Sequence, residues 1–157
     1  MSRIQETIQL DVPVSTAYNQ WTQFEDFPHF MEGVESVKQL DDTRLHWIAE
    51  FGGTKREWEA KITDQTPDSH IAWEGGPEDP SGAVRFEPLG PNSCRITLVM
   101  DYEPQGAREK VGDLLGGAKM RVKRDLARFK QFIESRKVET GAWRGDVSGG
   151  QASTGTG

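Results

Sequence analysis

Leu45-His46-Trp47-Ile48-Ala49-Glu50-Phe51, then Gly52-Gly53, then Trp58-Glu59-Ala60-Lys61-Ile62 is the stretch that decides the fold. Leu45, Trp47, Ala49 and Phe51 share one parity, and beyond the glycine pair Trp58, Ala60 and Ile62 share one as well. Side chains of a β-strand alternate between the two faces of a sheet, so this stretch reads as two strands with one apolar face and one polar face. The pattern repeats in Ile71 and Trp73, in Val84 and Phe86, and in Ile96, Leu98, Met100 and Tyr102. Ile4, Ile8 and Leu10 form an earlier strand face with one charge, Glu6, out of place among them. Asp41-Asp42, Gly52-Gly53, Pro67-Asp68, Gly75 to Ser81 and Pro91-Asn92 punctuate the chain, which predicts about six consecutive antiparallel strands from Val34 to Glu103.

Between the first strand and this run, Ser15 is placed to cap a short helix over Thr16 to Phe24 whose apolar face is Ala17, Tyr18, Trp21 and Phe24. The aromatic segment Glu25 to Met31, interrupted by Pro28, predicts a second short helix or a turn with Phe27, Phe30 and Met31 pointing inward. From Ala107 to Val138 there is no proline, and Val111, Leu114, Leu115, Ala118, Val122, Leu126, Phe129 and Ile133 keep helical spacing. One long helix is therefore available to cover the greasy face of the sheet. A curved sheet around one helix leaves space between them, which predicts a container for an apolar molecule. Gly141 to Gly157 is rich in Gly, Ser and Thr, so the expected organisation is one domain over residues 1–140 and a disordered tail over 141–157.

The net charge of −6 argues against nucleic acid or an anionic membrane surface as a partner, and no run of 18 apolar residues is present to span a bilayer. Cys94, the single cysteine, has no partner in the chain for a disulfide, and residues 1–20 lack a secretory pattern; the expected location is cytoplasmic. No cluster of histidine, cysteine and carboxylate has metal-ligand spacing, and no glycine-rich segment has phosphate-loop spacing. Neither a metal nor an organic cofactor is expected.

Several strings carry a family resemblance: Val14-Ser15-Thr16-Ala17-Tyr18 to Trp21, Phe24 to Val34, Arg44-Leu45-His46-Trp47, Arg56-Glu57-Trp58, Ile71-Ala72-Trp73, Gly82 to Pro88, and Arg124 to Lys130. Together with the order of elements, they resemble the polyketide cyclase/dehydrase branch of the START-like (helix-grip, SRPBCC) superfamily, a branch that includes coenzyme Q-binding proteins. The resemblance spans roughly residues 3 to 137. It implies an α+β helix-grip fold: a seven-stranded curved antiparallel sheet wrapped around a long C-terminal helix, with two short helices after the first strand. It also implies a cavity between sheet and helix.

On the inward parity, the expected cavity lining is Phe27, Phe30, Met31, Trp47, Phe51, Trp58, Trp73, Phe86, Leu98, Met100, Tyr102, Leu114, Leu115, Ala118 and Val122. No carboxylate or histidine stands among the strand residues of that set, so the expected function is binding or transport of a hydrophobic small molecule: a lipid, a quinone or a polyketide-like compound. The alternative is a polyketide cyclase/dehydratase of aromatase type, acting on a poly-ketone chain in the same cavity. His29, in the proline-bearing segment near the mouth, and Tyr102, the one inward hydroxyl, are its candidate catalytic residues. His46 and His70 fall on the opposite parity and are expected to face solvent. Arg85 reads as an outward residue paired with Glu59 or Glu74, while the face taken by Arg56 depends on the position of a bulge. The basic residues from Lys119 to Lys137 read as a solvated outer face, with docking to an acidic carrier protein as a further option.

Overall fold

The computed structural model describes residues 2–31, 34–51, 54–75, 81–102 and 111–153, with the backbone alone described at 2, 51, 54, 102, 111–119, 151 and 153. Strand β1 (Ser2–Leu10) is followed by helix α1 (Val14–Trp21) and a 3-10 helix (Phe24–His29). Six strands then run in succession: β2 (Val34–Gln39), β3 (Arg44–Phe51), β4 (Thr54–Thr66), β5 (His70–Glu74), β6 (Ser81–Gly90) and β7 (Ser93–Tyr102). Helix α2 (Val111–Arg136) and two short strands, β8 (Asp146–Ser148) and β9 (Gln151–Ser153), complete the chain. The curled antiparallel sheet has the order β1-β7-β6-β5-β4-β3-β2, with β8 attached to β4. This is the helix-grip architecture that the family resemblance implies.

Cross-strand register converts the alternation into rows on the inner face. One row runs Glu6, Leu98, Val84, Ile71, Gln65, and the next runs Ile4, Met100, Gly82, Trp73, Ile62. Beyond them lie Val37, Trp47, Trp58 and then Val34, Ala49, Arg56. A bulge between Ile62 and Asp64 changes the phase of β4. Arg56, Trp58, Ala60 and Ile62 therefore share the inner face, and after the bulge Gln65 takes it over, 1% exposed.

Helix α2 lies across these rows. Leu126, Phe129 and Ile133 are its buried stripe, and Phe129 meets Trp21 and Phe30 edge-on with centroids 5.1 Å away in each case. Near its C-terminal end Lys130 donates to the Gln9 carbonyl at 3.0 Å and Glu134 accepts from the Asp11 amide at 2.7 Å. Toward its N-terminal half Arg121 donates to the Glu50 carbonyl at 2.8 Å, so the helix is tied both to the end of β1 and to the end of β3.

Two local expectations are corrected. Ser15 does not cap α1: the helix starts at Val14, two residues before the expected Thr16, and has no side-chain cap. The Pro13 carbonyl accepts from the amides of Thr16 and Ala17 instead, with the fixed φ of proline setting the entry. The tail expected to be disordered is docked as far as Ser153. Gly149 and Gly150, at φ +58° and +80°, make the two-residue turn that joins β8 to β9, the left-handed geometry a tight hairpin requires. Val147 is 1% exposed opposite Gln65, and Trp143 packs against the main core. Glu139 accepts from Asn19 at 2.8 Å, the Thr140 amide donates to Gln20 at 2.9 Å, and the Trp143 amide donates to Thr22 at 3.1 Å. The glycine content that suggested disorder serves a turn, and the anchors lie on α1 and on Thr22, which caps its C-terminus.

Candidate functional site

The expected lining divides into two groups. Phe27, Phe30, Phe86 and Leu98 are buried and belong to the main core: Phe27 and Phe86 pack edge-on to Trp21, and Phe86 also to Tyr18. These rings fill the end of the sheet beneath α1 and the C-terminal half of α2 rather than lining open space. Met31, Trp47, Trp73, Met100 and Val122 remain partly exposed around that core, and Trp58 is 9% exposed. The side chains of Phe51, Tyr102, Leu114, Leu115 and Ala118 lie outside the described residues.

The second group is organised by the pair Trp47 and Trp58, which face each other across β3 and β4. Their rings are stacked at 5.9 Å with planes 3° apart, and Phe27 leans on Trp47 at 5.7 Å. Ala49 and Ala60, next along the same face, are almost fully buried under the same cluster and leave the two indoles room to lie flat. Trp73 gains its place in a similar way. It sits opposite Gly82, where a methyl group would come 2.9 Å from the indole and 2.5 Å from the Val99 carbonyl. Only glycine lets the Trp73 ring settle over β6.

The inner face is not free of polar groups, which corrects the dry wall expected from parity. Arg56 follows Trp58 and Ala60 in phase, stands opposite the buried Ala49, and holds its guanidinium 5.8 Å from the centre of the Trp58 ring. Glu6 points to the same face from the row of Leu98, partly buried. Both were legible in outline, since Arg56 is two residues from Trp58 and Glu6 two from Ile4 and Ile8. Gln65 was not, because its parity reverses at the bulge.

His29 is exposed and stacks on Phe132 at 6.2 Å, so the fold does not gather it with the tryptophans. His46 and His70 are on the outer face, held by Glu57 at 2.6 Å and Asp64 at 2.7 Å. Arg85 is also outward, but it stands between His70 and Thr97 and makes no ion pair among the described residues, so the expected bond to Glu59 or Glu74 is absent there. An open groove of about 340 Å³ lies on the outer face, over a row of Ala72, Ala83 and Val99 and beside the Arg3–Asp101 pair. Its lining is largely polar, unlike the aromatic face. Among the described residues no group of histidine, cysteine and carboxylate could hold a metal.

At the opposite end of the inner face, Tyr18 accepts a hydrogen bond from Gln65 at 2.8 Å. Burial pushes its phenol up to about 12, against the opposing pull of that bond and of Arg144, whose guanidinium sits 5.4 Å from the ring centre. Cys94 is a buried thiol pushed up to about 11 by burial, which keeps it protonated and unreactive at neutral pH.

A family profile described as polyketide cyclase / dehydrase and lipid transport matches residues 10–131. The chain belongs to this family. A protein of Streptomyces lincolnensis, described as an uncharacterized 17.2 kDa protein in the melC2-rnhH intergenic region, is 50% identical over 149 residues, 94% of this chain and 99% of that protein. Among solved structures, DR_A0006 from Deinococcus radiodurans superposes with a TM-score of 0.68 at 25% identity, covering 86% of this chain and 99% of that one. The Zhui aromatase/cyclase from Streptomyces sp. R1128 gives a TM-score of 0.71 at 14% identity, with 86% and 94% covered, a likeness of fold. All the inner-face residues from Trp47 to Met100 fall inside the stretch matched to the polyketide cyclase / dehydrase family, whereas the docked segment around Trp143 and Val147 lies beyond it.

Proposed function

We propose that the protein binds or carries a hydrophobic small molecule against the inner face of the sheet, beneath the N-terminal half of α2. The observation that carries this reading is the cluster of Trp47, Trp58 and Trp73, rings packed beside Ala49, Ala60 and Gly82, of which Trp47 and Trp73 are left partly uncovered. Indoles supply large contact area at low entropic cost, which suits an apolar ligand. No helix among the described residues is long and apolar enough to cross a membrane, so a lipid would be handled as cargo. The buried, unpaired Cys94 supports a cytoplasmic location, and the exposed Lys123, Arg124 and Arg128 on α2 are suited to an acidic carrier protein that delivers the ligand.

Titration with a long-chain fluorescent fatty acid, followed by tryptophan quenching, tests the reading. Saturable one-to-one binding is expected, and mass spectrometry of molecules extracted from the purified protein identifies the natural ligand class. Absence of saturable binding of any apolar probe refutes it.

A second reading, a polyketide cyclase/dehydratase, is favoured by Arg56. A cation on the inner face over the Trp58 indole can hold a ligand carbonyl and polarise it. The family description and the aromatase/cyclase neighbour support it. On this reading Arg56→Gln lowers turnover of a poly-ketone mimic while leaving its binding within a few-fold; no turnover by the wild type removes it.

A further inference from the structure

Ser69, His70 and Asp64 form a hydrogen-bonded chain on the side of the sheet away from the aromatic cluster. His70 Nε2 lies 2.7 Å from Asp64 Oδ2, and His70 Nδ1 lies 3.0 Å from Ser69 Oγ. An ionised carboxylate only accepts, so in the neutral ring Nε2 carries the proton and Nδ1 turns its lone pair to the serine hydroxyl. Hydroxyl, base and orienting carboxylate thus stand in the order that activates a serine by removing its proton as it attacks. The backbone around β4 and β5 sets this up. After the bulge in β4, Asp64 stands opposite Ala72, which makes His70 its diagonal neighbour. Asp68, at φ +61°, turns the chain between the strands, and Ser69 follows it in that turn with its hydroxyl beside the His70 ring. His46 is also held by a carboxylate, Glu57 at 2.6 Å, but no hydroxyl meets its other nitrogen among the described residues.

The chain borders the outer groove of about 340 Å³, which Thr63, Ala72 and Arg85 help to line. Thr63 precedes Asp64, Ala72 is the cross-strand partner of Asp64, and Arg85 is the cross-strand partner of His70. Of the two arginines in the groove, Arg3 is held by Asp101 at 2.8 Å, whereas Arg85 is exposed and makes no ion pair among the described residues. We propose that Ser69, His70 and Asp64 are a hydrolytic centre for short-chain esters that carry a carboxylate, with Arg85 holding that carboxylate in the groove. Ser69 Oγ bonds to the ester carbonyl carbon while His70 Nδ1 takes its proton. The bond to the alcohol oxygen then breaks, and His70 passes the proton to that oxygen. Water next attacks the acyl-serine and gives a proton to Nδ1; the acid leaves, and the proton returns to Ser69 Oγ. Asp64 is a positioning residue, fixing the tautomer and the tilt of the ring. The activity is independent of ligand binding on the inner face.

The test compares p-nitrophenyl acetate with mono-p-nitrophenyl succinate, which adds a carboxylate, by release of nitrophenolate. The succinate is expected to react with a kcat/KM about tenfold higher, the effect of one charge-assisted contact. Arg85→Gln is expected to bring the two esters to within about twofold, through KM. Ser69→Ala and His70→Gln should each lower the rate about 100-fold, the low end of what a positioned proton-transfer group contributes. Asp64→Asn should lower kcat and leave KM within about twofold. Circular dichroism verifies that each variant is folded. The wild type supplies a readout that needs no variant: diisopropyl fluorophosphate should leave its label on Ser69, located by peptide mass mapping. Hydrolysis no faster than with the same concentration of free imidazole, hydrolysis that survives Ser69→Ala, or a label anywhere but Ser69 overturns the centre. Equal rates for the two esters on the wild type overturn the role of Arg85.

Discussion

Tyr18→Phe makes the sharpest test of how the docked C-terminal segment and the bulge in β4 are joined. Tyr18 is fully buried, its Oη accepts from Gln65 Nε2 at 2.8 Å, and Gln65 is itself 1% exposed. Removing the hydroxyl leaves a buried amide donor without a partner, which costs about 1–3 kcal/mol. Replacing both groups by apolar ones, as in Tyr18→Phe with Gln65→Leu, should recover much of that loss, because no unsatisfied donor remains. The pH dependence supplies a second, independent number. The phenol is raised by burial from its ordinary 10.0 to about 12. The unfolded chain therefore releases this proton at a lower pH than the folded protein. Stability from this source is complete below pH 10 and is lost as pH rises through about 12. At about 1.4 kcal/mol per pKa unit the loss is at most about 2.7 kcal/mol. Urea unfolding followed by circular dichroism at pH 7.5 and at pH 11.5 reads both effects. Tyr102 is present in both proteins, so the difference between them isolates Tyr18. The advantage of wild type over Tyr18→Phe should shrink as pH rises. An advantage of the same size at both pH values would refute the burial of the Tyr18 phenol, and none at pH 7.5 would refute the Tyr18–Gln65 bond.

Three further outcomes follow from the packing. Gly82→Ala should displace Trp73, because the new methyl meets the Val99 carbonyl at 2.5 Å and the indole at 2.9 Å; a shifted tryptophan emission spectrum and weaker ligand binding report it. Val147→Ala should lower unfolding free energy by about 1.5 kcal/mol, two buried carbon groups at about 0.8 kcal/mol each, and an unchanged urea midpoint would mean that the C-terminal hairpin contributes nothing. Phe129→Ala should cost about 3–5 kcal/mol, since it removes the ring that meets both Trp21 and Phe30, and thermal unfolding measures it.

The alternation of Leu45, Trp47 and Ala49 against Trp58, Ala60 and Ile62 was enough to place β3 and β4 and to say which face is apolar, because strand periodicity is local. The three-and-four spacing of Leu126, Phe129 and Ile133 was enough for α2 for the same reason. The candidate site was legible in part: Trp47, Trp58 and Trp73 were assigned to the inner face and are found there. Whether a given aromatic fills the core or borders open space was not legible. Phe27 and Phe30 are consumed by contacts with Trp21 and Phe129, one of them about a hundred residues away in the chain.

The sequence by itself determined the strand and helix pattern, the apolar face, and the resemblance that leads to a helix-grip container. Tertiary structure alone decided three things. The bulge at Ile62 and Asp64 sent Gln65 inward to meet Tyr18, although plain alternation from Ile62 would have turned it outward. The register of β3 on β4 set Arg56 opposite Ala49 and paired Trp47 with Trp58. Asn19 and Gln20 of α1 and its C-cap Thr22 held Glu139, Thr140 and Trp143, so a glycine-rich stretch became an ordered strap. Each depends on contacts between residues distant in the chain, and such contacts leave no period in the sequence to be read.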